Sequence, residues 1–238
     1  MQESVISKDV LVSGKTSFKI EVPYKLIETG QKGVQKPLIL YFHGFGDNLK
    51  GFEKTMEPIL ALSAYHLFIQ GPYPIYDKKG SKTVSKWGRA WYLYDGKRKQ
   101  FIKSLEITSE FIQEIVDNLI KFINVSRICV IGYSMGGYLA GYFGLTRWKH
   151  VKDVVVIGAR IKTEVVQEDS WHKLGHLNFL AIHGKNDDNV SHKNQEKEVE
   201  ILKKYGVQAD IILLEEEHKL SEQYLNIAFH WLKENNYK

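Results

Sequence analysis

The 238-residue chain is 43% apolar and 26% charged with a net charge of +5, which excludes disordered and fibrous classes and suits one globular domain over residues 1–238. No stretch is long and apolar enough to span a bilayer, and residues 1–12 lack the basic and apolar regions of a signal peptide. A single cysteine, Cys129, excludes an internal disulfide. A cytoplasmic protein without integral membrane contact is expected, and lysines scattered without a recognised motif predict no nucleic-acid partner.

Residues 9–13 and 18–22 read as two strands of an antiparallel hairpin turning through Ser13-Gly14-Lys15 at a sheet edge. A strand at 38–42 then runs into His43-Gly44-Phe45-Gly46-Asp47, where flanking glycines let the backbone approach a ligand. After a strand at 67–70 comes a stretch from 71 to 96, extending to about 100, that holds Pro72, Pro74 and six aromatics from Tyr73 to Tyr94. Its composition predicts a long ordered loop, neither strand nor helix, beside the functional site. Tyr73, Tyr76, Trp87, Trp91 and Tyr92 are its candidates for the walls of an apolar acyl or alkyl pocket; the alternative is that they plug the core.

Residues 105–123 carry Ile107, Phe111, Ile115, Leu119 and Phe122 at helical spacing, which predicts an amphipathic helix with that stripe inward. Strands follow at 128–131, 154–157, 179–183 and 211–214, with helices at 137–145, 194–205 and 221–234, the last capped by Ser221. Near-continuous Val/Ile/Leu runs alternating with helices predict an α/β fold: a mostly parallel eight-stranded sheet covered on both faces.

The strand at 128–131 delivers Gly132-Tyr133-Ser134-Met135-Gly136, a GxSxG elbow between strand and helix. A serine on so sharp a turn has a strained backbone, and only glycine at the two flanking positions avoids collision. A serine hydroxyl is a weak nucleophile and needs a histidine base oriented by a carboxylate. Among nine histidines, His218 lies between a strand and the last helix, on the same sheet edge as Ser134. For the acid, the turn His183-Gly184-Lys185-Asn186-Asp187-Asp188 offers Asp187, with Asp188 as its rival. The backbone N–H groups of Phe45 and Met135 are the candidates for an oxyanion hole.

Taken together, HGFGD at 43–47, GPYP at 71–74, WGRAWY at 87–92, GYSMGG at 132–137, HGKND at 183–187 and His218 make the chain resemble the phospholipase/carboxylesterase family of the α/β-hydrolase superfamily. That family includes acyl-protein thioesterases and small bacterial carboxylesterases. The resemblance implies an α/β-hydrolase fold, a Ser134, Asp187, His218 triad, and Phe45 and Met135 as oxyanion donors. It departs from the family at Asp188-Asn189-Val190-Ser191, where members often carry proline, and at Glu215-Glu216-Glu217, where they often carry glycine near the histidine. The expected function is a serine carboxylic-ester hydrolase acting through an acyl-enzyme on small to medium apolar acyl esters, as a monomer or homodimer, with no cofactor and no metal. An acyl-protein thioesterase or lysophospholipase is the nearest alternative. A catalytically idle binding protein of the same fold is the alternative from another class.

Overall fold

The computed structural model describes residues 16, 19–76 and 80–238. Strands β1 (Tyr24–Glu28) and β2 (Lys36–Phe42) come first, then helix α1 (Leu49–Thr55) and strand β3 (Tyr65–Ile69). A short ribbon, β4 (Tyr73–Pro74) with β5 (Arg89–Ala90), leads to helix α2 (Arg98–Leu119). Beyond it, β6 (Val125–Tyr133), α3 (Met135–Thr146), β7 (Val151–Ile157), β8 (Asn178–Gly184), α4 (His192–Lys204), β9 (Gln208–Leu214) and α5 (Glu222–Glu234) alternate.

Among the described residues seven strands, against the eight expected, form one sheet in the order β1-β3-β2-β6-β7-β8-β9, parallel throughout except that β1 runs antiparallel to β3. Because β2 leads to β3 on one side while β6 lies on the other, the chain changes winding direction between β2 and β6. Their carboxyl ends are therefore the switch point of the sheet, which is where open α/β sheets carry their sites.

The continuous apolar runs bury alternate residues on opposite faces. Leu38, Leu40, Phe42, Val130, Val154 and Phe179 pack under α2 and α3, whereas Ile39, Tyr41, Ile131, Val155 and Leu180 pack against Phe52 of α1 and Tyr224, Leu225 and Leu232 of α5. Cys129 lies in this second layer, fully buried, and burial pushes its thiol pKa well up. The sheet also holds a buried carboxylate, Asp153 of β7. It accepts from the Tyr237 hydroxyl at 2.7 Å and from Asn178 Nδ2 at 2.9 Å, with Arg127 Nη1 3.8 Å away. No helix among the described residues is long and apolar enough to cross a membrane.

Several expectations need correction. The strand expected at 9–13 lies outside the described residues, and residues 19–22 are not a strand. Ile20 and Val22 instead line a groove with Phe111 and Ile115 of α2, and the edge strand is Tyr24–Glu28. Helix α2 starts at Arg98 and buries Leu105, Ile112 and Val116; of the expected stripe Phe111, Ile115 and Leu119 pack partly buried against the core, while Ile107 is half exposed and Phe122 is exposed. Its inward face contains Ser104 and Thr108, whose hydroxyls meet Leu93 N–H and Trp91 O, so polar residues mask the apolar period. The stretch after residue 71 contains the β4–β5 ribbon and is not wholly irregular. Ser221 stands at the N-cap of α5 as expected, although its hydroxyl makes no capping bond.

Two fully buried histidines link this fold to pH. His66 sits between the Tyr41 hydroxyl at 2.8 Å and the Thr29 hydroxyl at 2.9 Å; His43 Nδ1 lies 2.8 Å from Gly44 O while its Nε2 accepts from Gly71 N–H at 3.0 Å. Burial lowers each pKa to about 4. Both are neutral in the folded protein at pH 5, whereas the unfolded chain takes up protons near 6.5, so their stabilisation is complete above that pH and drains away toward pH 4. The expected loss is about 2 kcal/mol per histidine by pH 5. Urea midpoints should fall as pH drops from 7 to 5; a flat profile would contradict the neutral assignment.

Candidate active site

Ser134 follows β6 and precedes α3 with φ 51° and ψ −117°, a left-handed conformation disfavoured for a side chain. Its own N–H is held by Ile157 O at 2.8 Å and its carbonyl accepts from Gly137 N–H at 2.8 Å. The flanking glycines are required by space. A Cβ on Gly132 would lie 2.1 Å from Gly136 O, and one on Gly136 would lie 2.1 Å from Phe42 O.

The structure brings Ser134, His218 and Asp187 together. Ser134 Oγ is 2.8 Å from His218 Nε2, and His218 Nδ1 is 2.6 Å from Asp187 Oδ2. Asp187 Oδ1 accepts from the N–H groups of Asn189 at 2.9 Å and Val190 at 2.8 Å, which fixes the carboxylate with its second oxygen toward the imidazole. Asp188 is exposed, and the hydrogen bond from His218 Nδ1 goes to Asp187.

Two further residues pack against this arrangement, Tyr133 at the imidazole and His183 at the carboxylate. The Tyr133 ring stacks on His218 with centroids 5.4 Å apart, and its hydroxyl pKa is pushed up to about 12 by burial and by the Asp187 charge. His183 Nε2 lies 3.3 Å from Asp187 Oδ2 and 2.8 Å from Val190 O, and burial lowers its pKa. A neutral His183 whose Nε2–H donates to Val190 O braces the acid turn without adding charge. Position alone could have flagged Tyr133, which immediately precedes the serine. Nothing local distinguished His183 from a turn-shaping histidine.

Met135 is the first residue of α3, so its N–H has no partner within the helix. Among the described residues no acceptor takes up that N–H or the N–H of Phe45. The loop carrying Phe45 is clamped on β5 by Gly46 N–H to Arg89 O at 3.0 Å and Arg89 N–H to Asp47 O at 2.8 Å.

The aromatic candidates separate into three groups. Trp91 has no exposure: its indole N–H donates to His43 O at 2.8 Å and its ring packs on Phe42 and His43. It therefore does not wall a pocket. A large ring with one polar handle has been used to tie the end of β2 to the core. Tyr76 and Trp87 meet edge to face, with Tyr76 exposed and Tyr73 half-buried on β4; none of Tyr73, Tyr76 and Trp87 lines the cavity near Ser134 and Asp187. Tyr92 alone of the five does, in a cavity of about 300 Å³ shared with Tyr138 and Val190.

Of the acidic run, Glu215 is exposed and paired with Lys185, and the hydrogen bonds of His218 go to Ser134 and Asp187 only. Among the described residues no group of three or more His, Cys, Asp or Glu side chains is arranged to hold a metal ion.

The profile of the phospholipase/carboxylesterase family matches residues 23–236. The chain is 24% identical to acyl-protein thioesterase 1 homolog 2 of Dictyostelium discoideum, over 76% of this chain and 97% of that one. It is 23% identical to dipeptidyl peptidase family member 2 of Caenorhabditis elegans, but spans only 26% of that protein's length. The fold is similar to that of the Bacillus cereus carboxylesterase, with a TM-score of 0.72 at 17% identity, covering 90% of this chain and 94% of that one. A family match over almost the whole described chain, on a mostly parallel sheet whose winding reverses between β2 and β6, establishes that the chain belongs to the phospholipase/carboxylesterase family of α/β-hydrolases.

Proposed function

We propose that the protein is a serine carboxylic-ester hydrolase working through an acyl-enzyme. The observation that carries this reading is the unbroken pair of hydrogen bonds from Ser134 through His218 to Asp187 at the start of α3. Ser134 Oγ attacks the ester carbonyl carbon as its proton passes to His218 Nε2. The carbonyl oxygen takes the negative charge, facing the N–H groups of Phe45 and Met135. His218 then gives the proton to the departing alcohol oxygen, leaving Ser134 acylated. Water attacks the acyl carbon as its proton passes to the same nitrogen, the bond from that carbon to Ser134 Oγ breaks, and His218 returns the proton to Oγ as the acid leaves. Asp187 holds the imidazole with Nδ1 protonated throughout and stabilises its charged form.

A thioester would follow the same steps, with His218 giving its proton to the departing sulfur so that a thiol leaves, and the Dictyostelium relative favours that second reading of the substrate. The peptidase relative carries less weight, because most of its length has no counterpart here.

A fluorophosphonate probe should add one label per chain, and Ser134→Ala should take none. Unchanged labelling of Ser134→Ala would overturn the assignment of the nucleophile. No labelling of the parent protein would favour the idle binding protein.

A further inference from the structure

The cavity beside the triad has one charged wall. Tyr138 lies one turn along α3 from Ser134 and donates its N–H to Ser134 O at 3.1 Å; Asn189 and Val190, opposite, are the residues whose N–H groups hold Asp187. The cavity thus adjoins the residues that hold Ser134 and Asp187 in place, while Ser134, His218 and Asp187 do not themselves line it. Tyr92, Tyr94, Phe101 and Tyr138 make it aromatic, and Lys162 is the only ionisable cation among its lining residues.

Lys162 Nζ lies 5.4 Å from the Phe101 centroid and 5.8 Å from that of Tyr138. Its side chain is mostly buried, and burial lowers its pKa. The carboxylate in ion-pair contact with it, Glu164 at 3.4 Å, also pairs with Arg160, whose Nε pairs with Glu198 at 2.8 Å; Glu198 acts on Lys162 only from beyond ion-pair distance. Glu164 therefore takes at most one of the three ammonium donors, and takes it weakly. An ammonium set among aromatic faces and short of acceptors is matched by a ligand carrying an anionic acceptor on an apolar stem.

We infer that this cavity binds one half of the ester and that Lys162 recognises a carboxylate at its far end, making esters of carboxylate-bearing compounds the favoured substrate class. The inference rests on the ester-hydrolase reading above. A purely structural Lys162 would cover the aromatic rings and give no such preference.

The test compares kcat/KM for esters that differ only in carboxylate against carboxamide. Monoethyl esters of succinic, glutaric and adipic acids, each paired with its monoamide, place the charge on the acyl side. Butyryl esters of glycolic and 3-hydroxypropionic acids, each paired with its amide, place it on the alcohol side. One series should show a carboxylate preference of about ten- to a hundredfold, the range for a hydrogen bond to a charged group, with an optimum length. Lys162→Met should lose that preference and Lys162→Arg should retain most of it. Because the ratio is taken within each variant, partial misfolding cancels. No carboxylate preference in either series, or a preference that survives Lys162→Met, overturns the inference while leaving hydrolysis of the amide-bearing esters intact. Failure to turn over any ester removes both this inference and the reading beneath it.

Discussion

Asp187→Asn is expected to lower kcat by about four orders of magnitude, while Asp188→Asn stays close to the parent enzyme. The geometry dictates how the damage arises. Asp187 Oδ1 accepts from two backbone N–H groups, so an asparagine there must place its carbonyl oxygen on them. Its NH₂ then faces His218 Nδ1, which must accept in place of donating. The ring proton moves to Nε2, the nitrogen that has to take the proton from Ser134, and general-base catalysis is lost with the fold retained. Steady-state kinetics of the two variants, with thermal melts to verify folding, decide the matter. If Asp188→Asn is the crippled enzyme, the identity of the acid is wrong.

The largest expected effect on stability is that of Gly136→Ala. The new Cβ would sit 2.1 Å from Phe42 O and 2.6 Å from His43 O, both backbone atoms that cannot rotate away. Either α3 lifts from the sheet or the end of β2 moves. The expected cost is about 3 kcal/mol or more, the upper end for overpacking, or a fall of roughly 6–12 °C in Tm. Activity should fall further than stability, since Phe42 and His43 lead into the loop that carries Phe45. Gly141→Ala on the same helix is the control. There the nearest atoms are 3.4 Å away or more, and replacing a helical glycine gains roughly 1 kcal/mol of helix propensity. Equal melting temperatures for the two variants would show that steric demand at Gly136 is not what holds the turn.

The chemistry of the site was legible because it is written locally. Gly132, Ser134 and Gly136 occur within five residues, and the demands of that turn allow few other residues. Asp187 and His218 could be ranked by their place after strands, and the spacing from His183-Gly184 favoured Asp187 over Asp188. Aromatic residues were less readable. Trp91 and Tyr92 are adjacent, yet one is sealed under His43 and the other faces a cavity, and composition does not encode that difference. Strand β1 was missed because Tyr24-Lys25-Leu26-Ile27-Glu28 lies at an edge, half exposed, with little apolar alternation. The pairing of Asp153 with Tyr237 joins residues 84 positions apart and leaves no local trace.

That pairing bears on the order in which the protein can acquire its structure during synthesis. Chains emerge from the amino end at roughly 5–20 residues per second, so Asp153 precedes its phenolic partner by roughly ten seconds. Over that interval Ile39, Val155 and Leu180 also lack α5, which covers their side of the sheet. The nascent protein therefore presents a half-covered sheet around a carboxylate awaiting its hydroxyl donor, a species in which a chaperone would find apolar surface to hold.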